Sequence, residues 1–154
     1  MQSAITYRCI SQNDYEQWLG LWNGYNKFYG RSGPTALHPE IIKTTWARFF
    51  DTYEPVHAVV AEQNGSLVGL AHYLFHRSTI SIEPTCYLQD LFTAEEARGK
   101  GIGRALIDEV YKRAGSAGCK RLYWLTHETN QTAIQLYEKV AERSGFIVFK
   151  KMID

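Results

Sequence analysis

The sequence predicts an α+β domain: a mixed, mostly antiparallel central sheet of six or seven strands flanked by about four helices. Three observations predict it. Two β-rich runs, residues 56–62 and 67–75, meet at Asn64-Gly65, a dipeptide that readily adopts the positive φ angles a two-residue hairpin turn requires. A third run, residues 87–93, is followed by a glycine-rich loop, a helical pattern from Ile102 and a further run at Arg121, which is the order of a parallel crossover. Two amphipathic segments stand ahead of the hairpin, so the chain does not alternate strand and helix throughout. With 154 residues and no repeat or low-complexity stretch, residues 1–154 read as a single domain large enough to bury a core.

Taken in order, residues 6–10 form a first strand, and the polar residues 11–14 cap a helix that runs to about Tyr29. Trp18, Leu21, Trp22, Tyr25 and Phe28 recur along it at steps of three and four, giving one apolar face that packs on the sheet. Gly30, Gly33 and Pro34 break the pattern. Pro39 opens a second helix through Ile42, Trp46, Phe49 and Phe50, because its fixed φ suits the first helical position. After the hairpin and the third run, residues 102–114 form a helix with Leu106 and Val110 inward, residues 121–126 a strand, residues 130–144 a helix and residues 146–153 a closing strand. The order is β-α-α-β-β-β-α-β-α-β.

Composition excludes several classes. Seventeen basic and sixteen acidic residues leave a formal charge of +1, with no electrostatic footprint for nucleic acid. The start, Met1-Gln2-Ser3-Ala4-Ile5, has no basic region followed by an apolar segment, and no stretch approaches the roughly 20 apolar residues of a membrane helix, so a soluble, cytoplasmic protein without membrane contact is expected. Cys9, Cys86 and Cys119 are far apart and form no C-x-x-C pair, and they read as buried, reduced thiols; no feature puts a base beside any of them, as a nucleophilic role would need.

Arg98-Gly99-Lys100-Gly101-Ile102-Gly103 is the most informative stretch. Glycines let backbone N–H groups approach an oxyanion, the helix start adds unpaired N–H groups and a positive dipole end, and Arg98 and Lys100 add charge: an anion cradle of a size for a diphosphate. Two common phosphate motifs fail. A Walker loop needs Ser or Thr after Gly-Lys, where Gly101 stands, and a dinucleotide fingerprint meets Arg104 or Leu106 where its third glycine belongs. What remains, Arg-x-x-Gly-x-Gly, resembles the pyrophosphate loop of the GNAT (Gcn5-related) N-acetyltransferases. Asn130-Gln131-Thr132-Ala133-Ile134-Gln135-Leu136-Tyr137 is similar to that superfamily's later Asn-x-x-Ala-x-x-Leu-Tyr motif. Leu88-Gln89-Asp90-Leu91-Phe92-Thr93 resembles its strand leading into the loop, and Gly145-Phe146 its closing turn and strand. The likeness covers residues 87 to about 149, and its overall character is that of the small subgroup of D-amino-acid, histone and polyamine acetyltransferases.

The resemblance implies acetyl-CoA as co-substrate. It implies that the backbone of Leu91, Phe92 and Thr93 pairs with the pantetheine arm, that Arg98, Gly99, Lys100, Gly101, Ile102, Gly103 and Arg104 hold the diphosphate, and that Asn130, Ala133 and Tyr137 also contact the cofactor. Transfer to an amine needs an activated carbonyl, a neutral amine and a proton for the departing thiolate. Tyr137 is the candidate acid: it lies two helical turns, about 10 Å, beyond Asn130, and a phenol is protonated at neutral pH. Asn130 also reads as a plain N-cap. Asp90 is the candidate base. Polyamine acetyltransferases carry Glu then Asp where this chain has Gln89 and Asp90; Gln89 cannot accept the proton, and strand alternation turns Asp90 away from the face of Gln89 and Leu91 unless a bulge rotates it. Glu83, His127 and a water chain remain options, and a structural hydrogen-bond role for Asp90 stands level with the base role.

No metal is predicted. His72 and His76 are roughly 13 Å apart along a strand, too far to share a zinc at about 2 Å from each nitrogen. His127-Glu128 has Gln131 where a metalloprotease pattern needs its second His. Candidates for the acceptor site are Gln89, Tyr123, Trp124 and Tyr29, within an aromatic-rich first half that also carries Trp18, Trp22, Tyr25, Trp46, Phe49, Phe50 and Tyr53 beside Glu16, Asp51 and Glu54, a composition suited to an amine. The expected activity is direct acetyl transfer to a primary amine of a small molecule, an amino acid or polyamine, possible as a homodimer. A protein lysine or histone acceptor, and a non-catalytic acyl-CoA-binding regulatory module, are the alternatives.

Overall fold

The computed structural model describes residues 3–154. The reading of the N-terminus falls in part on Met1 and Gln2, which lie outside the described residues. One mixed sheet carries five strands in sequence order: β1 (Thr6–Cys9), β2 (Val56–Gln63), β3 (Ser66–His76), β4 (Thr85–Thr93) and β5 (Arg121–Tyr123). The first three pairings are antiparallel and β4 pairs parallel with β5. Four helices flank it: α1 (Tyr15–Phe28), α2 (Pro39–Arg48), α3 (Ile102–Ser116) and α4 (Gln131–Val140). Asn64 and Gly65 both take positive φ, 53° and 77°, as the hairpin between β2 and β3 demands.

The helices divide between the two faces because β3 side chains alternate. A Cβ placed on Gly69 would meet Ile102 and Leu106 of α3, whereas His72, three residues on, packs against Trp18 and Trp22 of α1. Leu106 and Val110 are fully buried on the α3 side, as the periodicity predicts. On the other side Trp18 of α1 meets Trp46 of α2 at 5.0 Å and Phe49 edge-on at 5.7 Å, so α2 closes over α1 through aromatic contacts. Asp14 anchors the start of this layer: its carboxylate accepts the Ser11 N–H at 2.7 Å and takes both terminal nitrogens of Arg8, at 2.7 and 2.9 Å.

Five sequence expectations are corrected. Among the described residues there are five strands, not six or seven: residues 146–153 pair with none of them, and every residue from 141 to 154 is exposed. β-propensity favours an extended backbone, but a strand exists only where another backbone takes up its N–H and C=O groups, and no described strand pairs with this segment. β5 ends at Tyr123 rather than Thr126, and α4 ends at Val140 rather than Ser144. Phe28, at the last turn of α1, is exposed. Of the cysteines only Cys86 is buried, which pushes its thiol up to about 12; Cys119 is half-buried, and Cys9 is exposed with its Sγ accepting from Arg113 at 2.7 Å. Among the described residues no helix is long and apolar enough to cross a membrane.

Candidate active site

Two linked concavities lie where β4 and β5 part. β5 meets β4 only at Thr85, Cys86 and Tyr87, so beyond Tyr87 the edge of β4 that faces β5 has no strand partner among the described residues. Residues 88–93 thus present backbone groups along one ledge that no described strand takes up, the Thr93 carbonyl being held instead by Arg98 Nε, and these are obligatory hydrogen-bonding groups. At the far end of the ledge lies the cradle, lined by Thr93, Ala97, Arg98, Gly99, Gly101, Ile102, Gly103, Arg104 and Leu136. Gly99 and Gly101 stand at φ of 78° and 79°, and Gly101 is the residue from which α3 starts, with no side chain capping it. The first N–H groups of a fifteen-residue helix therefore open into the cradle. A Cβ at either glycine would meet nothing, so the space above them is free for an anion.

At the near end is a groove lined by Tyr25, Tyr29, Leu88, Gln89, Leu91, Trp124, Leu125 and Tyr137. Cradle and groove are joined twice, because Leu91 and Thr93 lie along the same strand and Leu136 and Tyr137 are neighbours on α4. Tyr137 packs edge-on against Trp124 at 5.4 Å, and burial, with a smaller contribution from Tyr29, raises its phenol above the usual range.

The residues chosen from sequence divide clearly. Arg98, Gly99, Gly101, Ile102, Gly103, Arg104 and Thr93 meet in the cradle, and Gln89, Leu91, Trp124, Tyr29 and Tyr137 in the groove. Arg98 also ties the loop to the strand, its Nε donating to the Thr93 carbonyl at 3.2 Å while its guanidinium lies 5.7 Å from the Phe92 ring centre. Lys100 is exposed beside the cradle, and Ala133 is half-buried on α4. Phe92 turns its ring toward α1, 6.3 Å from Tyr25. Asn130 stands at the start of α4, yet its side chain reaches Thr126 at 3.4 Å instead of capping the helix. Tyr123 does not line the groove: it stacks on Tyr87 at 4.9 Å and its hydroxyl is 2.9 Å from His76 Nε2.

Asp90 is decided by a β-bulge. His72 pairs with Asp90 and Tyr73 with Leu88, so Gln89 is an extra residue in β4. Gln89 then faces the groove, while Asp90 is buried against α1 with Oδ2 3.0 Å from His72 Nδ1. The other candidate bases lie elsewhere: His127 is exposed and bonds Thr129, and Glu83 precedes β4. Among the described residues no cluster of three His, Cys, Asp or Glu side chains suited to a metal occurs. The groove residues sequence reasoning missed are Tyr25, Leu88 and Leu125. In the sequence Tyr25 reads as one more packing aromatic on α1; in the structure its ring lies under the Arg31 guanidinium at 5.8 Å and borders the groove.

The model of the Acetyltransferase (GNAT) family matches residues 18–141, a span containing both concavities. The chain belongs to that family. As a GNAT N-acetyltransferase it is 37% identical over 153 residues, 98% of the chain and 92% of the relative, to D-amino-acid N-acetyltransferase HPA3 of Saccharomyces cerevisiae. It is 32% identical over 95 residues, 56% of the chain and 55% of the relative, to thialysine N-epsilon-acetyltransferase of Sus scrofa. Among solved structures, AAC(6')-Iy in complex with the bisubstrate analog CoA-S-monomethyl-acetylneamine superposes with a TM-score of 0.83 over 99% of this chain and 100% of that one, at 15% identity, which shows the shared fold.

Proposed function

We propose that this GNAT enzyme moves the acetyl group of acetyl-CoA directly to a primary amine of a small molecule, an amino acid or a polyamine. The observation that carries the reading is the meeting of Tyr137 with Tyr25, Tyr29 and Trp124 in a groove that continues along β4 into the cradle. The cradle fits a diphosphate, since it offers open space over two glycines, unpaired helix N–H groups and the cations Arg98 and Arg104. Bound there, acetyl-CoA supplies a thioester carbonyl already activated toward an amine. Everything else falls to the chain. The free edge of β4 holds the pantetheine arm and orients the carbonyl; Tyr137, kept protonated by its raised pKa, donates to the departing sulfur; Asp90 is the final acceptor of the ammonium proton. The aromatic rings that line the groove, Tyr25, Tyr29, Trp124 and Tyr137, suit a cationic amine.

Small amines are favoured as acceptors by the named substrates of the two relatives, a D-amino acid and thialysine. Neither relative favours the protein-lysine or non-catalytic reading. A thiol-release screen over amino acids of both hands, polyamines, aminoglycosides and lysine peptides tests this: turnover with small amines is expected, and silence throughout while CoA still binds overturns it.

A homodimer is also proposed, on one observation. Phe146, Ile147, Val148, Phe149, Met152 and Ile153 are each 68–96% exposed in a run of eight residues, and β5 ends the sheet with its outer edge open. Sedimentation equilibrium of the full chain and of a chain ending at Ser144 is expected to show dimer and monomer respectively; a monomeric full chain overturns the proposal.

A further inference from the structure

We propose that Arg31 receives the carboxylate of the acceptor and so makes this enzyme selective for amino acids over polyamines and protein lysines. The inference rests on the acetyl-transfer reading above and names the acceptor class within it. The end of α1 sets the residue in place. Gly30 stands at φ 77°, the left-handed conformation that glycine adopts without strain. The chain folds back there, with the Gly30 N–H on the Lys27 carbonyl at 3.0 Å and the Arg31 N–H on the Asn26 carbonyl at 2.8 Å, the paired closure of a helix that ends in glycine. Arg31 is thereby returned along its own helix.

Side-chain contacts then fix it. Arg31 Nε donates to Asn26 Oδ1 at 2.7 Å, and Asn26, 4% exposed, is itself locked by its Nδ2 donating to the Trp22 carbonyl at 2.8 Å. The guanidinium carbon lies 5.8 Å from the Tyr25 ring centre and 5.5 Å from that of Tyr29, two rings that line the groove, so the half-buried Arg31 stands at the groove rim. A guanidinium has five N–H donors, and Asn26 takes one of them. Among the described residues no carboxylate pairs with Arg31. The terminal nitrogens are left as a planar fork, the geometry that holds a carboxylate through two parallel bonds. Because Asn26 already restrains Nε, little side-chain freedom is lost on binding.

Charge decides which acceptors fit. None of the groove-lining residues carries a formal charge, and Asp90, buried against α1, is bonded to His72 instead of lining the groove. A polyamine brings at least one ammonium beyond the reacting amine, and that group would sit in a neutral groove beside a cation. A lysine side chain in a protein brings no carboxylate of its own. An amino acid brings an ammonium for the aromatic groove and a carboxylate for Arg31.

The test uses the best amino acid of the thiol-release screen and its carboxamide, which differ in the charge Arg31 reads. The carboxamide has the more readily deprotonated amine, so amine availability favours it; wild type is nevertheless expected to show the higher kcat/KM for the acid. In Arg31→Gln the acid-to-carboxamide ratio of kcat/KM is expected to fall about 30-fold, chiefly through the KM of the acid, with CoA affinity unchanged. A role confined to holding the end of α1 would move both acceptors together. An unchanged ratio therefore overturns the assignment, and so does a wild type that prefers the carboxamide, a comparison that depends on no variant's folding. Turnover of polyamines with none of amino acids overturns the assignment alone and leaves the acetyl-transfer reading standing, whereas silence toward every amine overturns both.

Discussion

The cradle and the groove lie at opposite ends of one strand edge, and they are built on different principles. The cradle is local and made of backbone: six consecutive residues and a helix start present N–H groups with almost no side chain required. The groove is non-local and made of side chains, gathered from α1, β4, the chain after β5 and α4. On the proposed reading, the cofactor is met by peptide geometry, which few substitutions alter, and the acceptor by side chains, each replaceable alone.

The sharpest way to separate the two is to remove the Tyr137 hydroxyl. Tyr137→Phe is expected to lower kcat by about 10²- to 10⁴-fold with CoA affinity unchanged, read by steady-state kinetics and calorimetry. Because burial raises this phenol, its loss of a proton falls above the ordinary value near 10, and the wild-type pH–rate profile is expected to show no falling limb from Tyr137 below that pH. The converse variant, Gly101→Asp, puts a carboxylate and a Cβ at φ 79° in the cradle; a loss of about 100-fold in CoA affinity is expected, with the fold retained by circular dichroism.

A third variant touches neither site. Asp14→Ala removes the acceptor for Ser11 N–H and the partner of Arg8, and is expected to cost about 2 kcal/mol in urea unfolding without changing CoA affinity. Arg8 holds the Asp14 carboxyl below the usual range, so its contribution is complete above about pH 4, the unfolded value, and is lost as pH falls through the lower folded value; the gap between wild type and Asp14→Asn should narrow there. The smallest effect is expected at Trp22, whose buried indole N–H has no partner among the described residues. Trp22→Phe trades that unpaired donor against lost packing, and the change in stability should stay within about 1 kcal/mol.

Legibility followed the same division. The cradle could be read from Arg98 to Gly103 because a positive-φ glycine and a helix start are properties of adjacent residues. The hairpin at Asn64-Gly65 was legible for the same reason. The Asp90–His72 pairing was not, since it comes from a one-residue bulge at Gln89 in β4, and Trp18 of α1, which bonds the other nitrogen of His72, lies 54 residues away in the chain. Tyr123 misled because its aromatic character said nothing of the Tyr87 and His76 partners that occupy it. The closing strand misled because residues 146–153 have the composition of a strand but not the neighbour.

That uncovered tail carries a thermodynamic corollary. On the dimer reading, folding and association become one equilibrium, and mass action makes the melting temperature climb with the amount of enzyme in the cell or tube. Dilution alone would then loosen a molecule whose sequence had not changed.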